Sequence, residues 1–332
     1  MFLQAGHSLF SASYKGGEMM KIQQLEYVIA IAQEGSITRA AKQLFQAQPN
    51  ISIALKELET ELGIQIFNRT PNGMVLTPEG EEFLGRATSI VNDIHSLERD
   101  YLNRNSSEIS MNIGISRSSF ITAAIGEFIS KHEGESEKME INLTESDTNR
   151  VMNETCIGKY DVGVLRIPEN YYETTEKVID SKNLISKVLL EYRFAVAIHR
   201  SHPLARFDDI PFEELKRYPE IYNGINEPDM LRRASVNANY EDISSNKRIN
   251  VLDRGSQVSI MATVRDAFMW VPPIKNPIME TAGIVIKKCS YAQQINKDII
   301  VYRRSSESNP LVMDCVNTLI TFGDKIKNEI IK

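Results

Sequence analysis

Between Gln48 and Lys56 the chain carries side chains suited to reading nucleic acid. Gln48, Asn50 and Ser52 offer donors and acceptors for base edges or phosphate oxygens, and Lys56 offers a charge for a phosphate. Spacing decides whether they act together. At 100° per residue, Ile51, Leu55, Leu58 and Leu62 fall within about 40° of one another and form one buried stripe. Pro49, Ile53, Lys56 and Thr60 then face the other way, with Asn50 and Ser52 on the flanks. Pro49 suits the first position of a helix, where its missing N–H costs nothing. Ile53 is an apolar residue on the outward face. It is either a contact for a thymine methyl or a singly exposed isoleucine of the ordinary kind.

The elements around this helix must hold it out. Ser36 is a good N-cap, and Ile37, Ala40, Ala41 and Leu44 follow as an apolar helical stripe. The two alanines let a second helix cross close by, and Phe45-Gln46-Ala47 leaves room only for a turn. This is the spacing of a helix-turn-helix, whose second helix enters the DNA major groove. Thr38 and Arg39 on the first of the pair complete the DNA-facing candidates on the helices. A helix pair alone occurs in many proteins, but the next segment adds to it. Ile64 to Phe67 reads as a strand, Asn72-Gly73 as a hairpin turn and Met74 to Leu76 as the returning strand. Such a wing places Arg69, Thr70 and Asn72 toward a neighbouring phosphate or the minor groove. Leu25, Val28, Ile29 and Ala32 mark a preceding helix over 21–33 that packs behind the pair.

With 332 residues the chain is long enough for two or three domains. Its net charge of −6 argues against a protein that coats nucleic acid without specificity. Within 36–77, Arg39, Lys42, Lys56 and Arg69 face Glu57, Glu59 and Glu61, so counter-ion release contributes little. Tight binding then needs specific contacts and paired sites, hence a homodimer or homotetramer. Cys156, Cys289 and Cys315 are few and widely spaced, which suits buried thiols in a reducing cytoplasm rather than a zinc site or redox pair. His7, His95, His132, His199 and His202 lie in no motif with a nucleophile or metal ligands, and no Gly-rich phosphate loop appears. No catalytic residue, metal or cofactor is expected, and the chain does not read as an enzyme. No apolar run reaches the ~20 residues of a membrane span.

Residues 1–19 lack both a signal-peptide pattern and a helical period. Lys15-Gly16-Gly17 can be encoded by a ribosome-binding purine run, so Met20 is expected to be the natural start; a disordered genuine tail is the alternative. The winged helix-turn-helix covers 20–77. Thr77 and Pro78 then open a long helix in which Phe83, Leu84, Ala87, Ile90, Val91, Ile94, Leu97 and Tyr101 recur at three- and four-residue steps. That is nearly three heptads of a coiled-coil seam for a second chain, with a helix lying on its own domain as the alternative. The polar run 103–107 is a hinge that closes the linker, 78–105.

From Glu108 strands and helices alternate: strands over 109–115, 140–143, 161–165, 192–198 and 297–303, helices over 120–130, 148–158 and 311–327. This α/β pattern predicts a mostly parallel sheet with helices on both faces. Ligands in such sheets sit at the carboxyl ends of strands, which points to Ser116, Ser118 and Ser119 after the first strand and to Asp147 and Thr148 after the second. Helix capping explains the same residues. Arg117 and Arg166 are the charges that would select a carboxylate or another small anion if they face the ligand; otherwise they are solvated surface charges.

Taken together, LEYVIAIAQEGSITRAAKQL (25–44), Gln48-Pro49, Leu58-Glu59 with Leu62-Gly63, Phe67 with Arg69, and Leu76-Thr77-Pro78 with Gly80 resemble the LysR-type transcriptional regulators. The resemblance is dense from Met20 to about Tyr101. It departs at Ala47, where the family usually has serine, and at Ile53, where it often has a basic residue. It implies a cytoplasmic regulator that binds double-stranded promoter DNA and responds to a small-molecule inducer. It also implies a two-lobed, periplasmic-binding-protein-like effector domain over 108–332, with lobe I about 108–192 and 285–332 and lobe II about 193–284. In that fold Ser118 and Thr148 match inducer-contacting positions, and Tyr222, Asn223 and Ser256 are the candidates from lobe II. Where the family commonly shows a glycine pair, this chain has Arg265-Asp266-Ala267. The two-lobed part alone would equally suit a solute-binding protein of a transporter, against which the winged helix-turn-helix and the missing export signal count.

Overall fold

The helices begin and end where local chemistry dictates. Ser36 Oγ accepts from the Arg39 amide, and Gly35 and Gly63, at φ of 60° and 68°, close the helices before them in the left-handed conformation. The computed structural model describes residues 20–71, 73–102, 108–116, 119–134, 136–222, 236 and 247–327. The extension 1–19 and the hinge 103–107 lie outside them. The chain divides into two units, Met1–Arg99 and Asp100–Lys332.

In the first unit α1 (Ile22–Glu34), α2 (Ile37–Gln43) and α3 (Gln48–Leu62) surround one core. Val28, Ile31, Ala40, Ala41, Ile51, Leu55 and Leu58 meet there, so the small alanines do sit at the crossing. The hairpin pairs β1 (Phe67–Thr70) with β2 (Gly73–Leu76), Phe67 opposite Leu76. The first strand therefore starts later than the apolar run 64–67 suggests. The amides of Ile66 and Phe67 bond to the Glu59 carboxylate, which leaves the segment ahead of the hairpin without a strand partner. Thr77 caps α4 (Pro78–Leu102) by accepting from the Gly80 amide at 2.9 Å. Ala87 and Val91 of α4 are buried with Leu25, whereas Ile90 and Leu97 are 42% and 57% exposed. Phe83, Leu84, Ala87 and Val91 of the heptad pattern thus pack on the helix's own unit, while Ile90 and Leu97 face outward.

The second unit holds two five-stranded sheets. The first has the order β4-β3-β5-β12-β6, from β3 (Glu108–Ser116), β4 (Lys138–Ser146), β5 (Val162–Pro168), β6 (Leu184–Arg193) and β12 (Ile295–Arg303). On one face α5 (Ser119–His132) and α11 (Pro310–Ile326) bury Ile113, Phe128, Val164, Ile300 and Leu319. On the other, α6 (Thr148–Cys156) and α7 (Glu169–Ser181) bury Val151, Leu165, Ile179 and Ile299. The second sheet has the order β11-β7-β10-β8-β9, from β7 (Ala195–His199), β8 (Glu220–Tyr222), β9 (Arg248–Asn250), β10 (Phe268–Val271) and β11 (Ile284–Lys287). It carries α8 (Phe212–Leu215), α9 (Arg254–Thr263) and α10 (Pro277–Thr281).

Three differences from the sequence reading have plain causes. The sheets are mixed: β3 pairs in parallel with β4 and β5, but β12 is antiparallel to both β5 and β6. A strand returning from another lobe enters from the far end and runs against the rest. The apolar run 192–198 is two strands in two sheets, β6 and β7, with Phe194 between them packing on both cores. Finally, β11 pairs with β7 over Ile284–Lys287, so the second lobe extends beyond residue 284. No helix among the described residues is long and apolar enough to cross a membrane.

Candidate functional site

Two places in the chain gather the chemistry. In the first unit, Thr38, Arg39, Gln48, Pro49, Asn50, Ile53, Lys56 and Arg69 are exposed, and Ser52 and Thr70 are half-buried. Gln48, Pro49 and Asn50 form the first turn of α3, whose N-cap is Ala47, a residue with no capping side chain. Pro49 has no N–H and the Asn50 amide donates to the Ala47 carbonyl at 3.0 Å, so the turn is closed by main-chain atoms alone. Arg69 reaches back from the hairpin, its Nη2 3.4 Å from Ser52 Oγ. An open groove of about 790 Å³, counting its mouth, lies between hairpin and helix, with Ser52, Lys56, Gln65, Asn68 and Arg69 on its walls. Arg39 is exposed and pairs with Glu34 through both its side-chain and main-chain oxygens. Asn72 lies outside the described residues.

Glu59 is the residue that sequence reasoning undervalued, as one carboxylate in a charge count. Its Oε1 accepts from the amides of Ile66 at 2.8 Å and Phe67 at 3.1 Å, fixing the hairpin's root to α3. The signal was the Leu58-Glu59 pair followed by the strand-like run 64–67. Replacing Glu59 with alanine leaves two amides without their charged acceptor and should cost about 1.5–3 kcal/mol. Chemical unfolding measures it, with Glu59→Gln expected to lose about half as much.

In the second unit, Ser116 and Thr148 are brought together. Their hydroxyls lie 3.1 Å apart, and Thr148 Oγ1 donates to the Arg166 carbonyl at 3.1 Å. With Thr148 donating to that carbonyl, Ser116 must donate to Thr148. Both hydroxyl protons are then engaged, and the pair presents lone pairs to its surroundings. Asp147 caps α6 through the Arg150 amide, which frees Thr148 from that duty.

Arg166 departs from both sequence readings. Its Nε and Nη2 bond Asp298 Oδ1 and Oδ2 at 2.9 and 3.0 Å, and Asp298 is fully buried. The guanidinium also lies over the rings of Tyr192 and Phe194, at 5.6 and 5.7 Å. It is neither a solvated surface charge nor an open anion receptor. Burial pushes the Tyr192 phenol well above its ordinary range, against the pull of Arg166, so it stays protonated and donates to Asp298 Oδ1. Sequence gave no sign of this trio, since its members are far apart in the chain.

Of the second-lobe candidates, Tyr222 and Ser256 are described. The Arg248 guanidinium lies 4.3 Å from the Tyr222 ring centroid. Ser256 is exposed, and its amide donates to Asp253 Oδ1 at 2.7 Å in the cap of α9. This amide, with the Ser256 hydroxyl next, holds the Asp253 carboxyl below its usual range. Arg117, Ser118 and Asn223 lie outside the described residues, and of Ser119 only its place as the first residue of α5 is described. Burial pushes Cys289 to about 11 and Cys315 to about 12, which holds both as unreactive thiols at neutral pH. Among the described residues no three His, Cys, Asp or Glu side chains gather as a metal site.

Comparison with known proteins agrees with this anatomy. Residues 22–81 match the bacterial regulatory helix-turn-helix protein model of the LysR family, and residues 106–239 match the LysR substrate binding domain. YcgK of Bacillus subtilis, an uncharacterized HTH-type transcriptional regulator, is 34% identical over 154 residues, 45% of this chain and 46% of YcgK. The chain thus matches about half the length of that relative. The HTH-type transcriptional regulator CysB of Burkholderia cenocepacia is 26% identical over 259 residues, 74% of this chain and 79% of CysB. Full-length LysG from Corynebacterium glutamicum, solved with bound effector Arg, shares the fold at a TM-score of 0.61 and 13% identity, covering 92% of this chain and 99% of LysG. The two models follow one another along the chain in the order of the two units, and the chain belongs to the LysR family of bacterial regulatory helix-turn-helix proteins.

Proposed function

We propose that this chain is a cytoplasmic transcriptional regulator that binds promoter DNA as a homodimer or homotetramer, with a small-molecule inducer setting its response. The observation that carries the reading is the outward face of α3. Gln48, Asn50 and Lys56 are exposed there with Ile53, which is 57% exposed, and the hairpin sets Arg69 beside Ser52. Gln48, Asn50 and Ser52 read bases, Lys56, Arg69 and Thr70 hold phosphates, and Thr38 and Pro49 border the groove. The exposed Ile90 and Leu97 of α4 are the surface on which a second copy would pair, giving the two half-sites that so modest a charge requires. Ser116 and Thr148 touch the inducer. Arg166 supports them from behind through its carbonyl, so a small carboxylate inducer would take its counter-charge from another residue.

Fluorescence anisotropy with the DNA just upstream of the chain's own gene tests this. Specific binding that weakens with salt is expected, and Gln48→Ala should weaken it by about tenfold or more, the 1–3 kcal/mol of a lost base contact. Ile53→Ala should lose affinity only where the operator presents a thymine methyl. Equal binding of all operator variants by Ile53→Ala would sink that contact, and indifference to promoter DNA would sink the regulator reading.

A further inference from the structure

We infer that the outer end of the second lobe carries an oxyanion site for a phosphate-type dianion, with His199 Nε2 and the guanidinium groups of Arg200 and Arg265 as its donors. The site lies at the opposite end of β7 from the crossover between the lobes.

The topology gathers these residues. β7 leaves the crossover at Ala195 and ends at His199, while β10 and β11 run against it, with Phe268 opposite Ile198 and Ile284 opposite His199. Arg265 and Gly283, just ahead of β10 and β11, therefore come to the end of the sheet that holds His199 and Arg200. That end is about 13 Å from Ala195, four residues along the strand. Arg265 belongs to the corner where a glycine pair is common in the family, so its charge is one that the resemblance does not account for. Gly283 sets the close approach. Its φ is 75°, and its carbonyl accepts from the Arg200 amide at 2.7 Å. A Cβ there would lie 2.9 Å from His199 Nε2 and 3.0 and 3.1 Å from Arg200 Nε and Nη2. Imidazole and guanidinium thus meet over a residue that has no side chain.

A main-chain bond assigns the proton on His199. The Ser201 amide donates to His199 Nδ1 at 3.1 Å, and the Ser201 hydroxyl lies 2.6 Å from the same atom. An accepting Nδ1 puts the proton of the neutral ring on Nε2, so the nitrogen beside Arg200 is a donor in either charge state. Burial, and then the charges of Arg265 and Arg200, hold the imidazole below its usual range, so both cations act on it. Arg200 and Arg265 are exposed, and neither guanidinium has a hydrogen bond or ion pair with another described residue. The carboxylate of Asp266, next in sequence, acts on His202 instead. Two cations and a third N–H donor favour an anion with two charges and three oxygens over a carboxylate. Free phosphate or a phosphate monoester has that chemistry. A DNA backbone phosphate shares it in part, with one charge.

The His199 ring signal in the full-length protein, labelled with ¹³C at histidine and assigned with His199→Gln, reports on this imidazole alone. Inorganic phosphate, added at constant pH and ionic strength, should shift it saturably with half-saturation at about 1 mM. Acetate should not. Bound phosphate should also raise the His199 pKa, because an adjacent anion favours the charged ring. Arg200→Gln and Arg265→Gln, both at exposed positions, should each raise the half-saturation concentration about fivefold or more. The inference is overturned if no saturable shift appears up to about 50 mM phosphate, if acetate acts equally, or if both variants bind as the parent does. A shift given by non-operator duplex DNA and by no free anion also overturns it, and assigns this end of the lobe to the DNA backbone.

Discussion

Alanine at Gly80 should destabilise the DNA-binding unit by about 2–3 kcal/mol, although helix propensity alone forecasts a gain of about 1 kcal/mol. Space decides the sign. A Cβ on Gly80 would lie 2.1 Å from the Ile66 carbonyl oxygen and 2.9 Å from its carbon, an overlap with backbone that no rotamer relieves. The same carbonyl accepts from the Thr77 amide at 3.0 Å, and the Ile66 amide bonds Glu59. Any retreat of Ile66 therefore loosens the cap of α4 and the root of the hairpin together. Gly85 lies on the same helix with nothing within 4 Å of its Cβ position, so Gly85→Ala should be neutral or stabilising by up to about 1 kcal/mol. Denaturant unfolding of the pair reads the difference. Promoter affinity should fall for Gly80→Ala, because Arg69 and Ser52 lose their register, and hold for Gly85→Ala. Equal stability of the two variants would mean that the close approach of α4 to the hairpin is unimportant.

The DNA-binding unit was legible because its signals are local. Ser36, Gly35, Pro49 and the stripe from Ile51 to Leu58 each act within a few residues, so caps and faces can be read before any tertiary contact is known. The hairpin start was misplaced because a long-range bond from Glu59 overrode the strand-like composition of 64–67. The second unit was legible in its alternation of strands and helices but not in its pairing. Whether β12 joins β5 in parallel or antiparallel is set by the route of the chain through the other lobe, which leaves no trace in the residues of β12. Arg166 shows the same limit at the scale of one side chain. Its partner is 132 residues away, so no spacing rule could tell an anion receptor from one half of a buried pair.

That pair gives the other large expected effect. Asp298→Ala should cost the effector unit about 3–5 kcal/mol, the usual loss when one partner of a buried ion pair is removed. Asp298 is fully buried, while the Arg166 side chain is 14% exposed, too little for water to replace two charge-assisted bonds. Tyr192 would lose its acceptor as well, adding an unsatisfied buried hydroxyl. The loss would not stay local. Arg166 lies on β5, Asp298 on β12 and Tyr192 on β6, and β6 and β12 are the strands that leave for and return from the second lobe. Asp298→Asn keeps the shape and two bonding atoms, and should cost less than the alanine. Arg166→Met combined with Asp298→Leu removes both charges and should recover most of the stability, since buried pairs are often matched by apolar residues of similar volume. If the single and double replacements unfold alike, packing rather than charge holds the strands together there. If the double variant is stable but no longer responds to any small molecule, the pair's function is to fix the Arg166 carbonyl that orients Thr148.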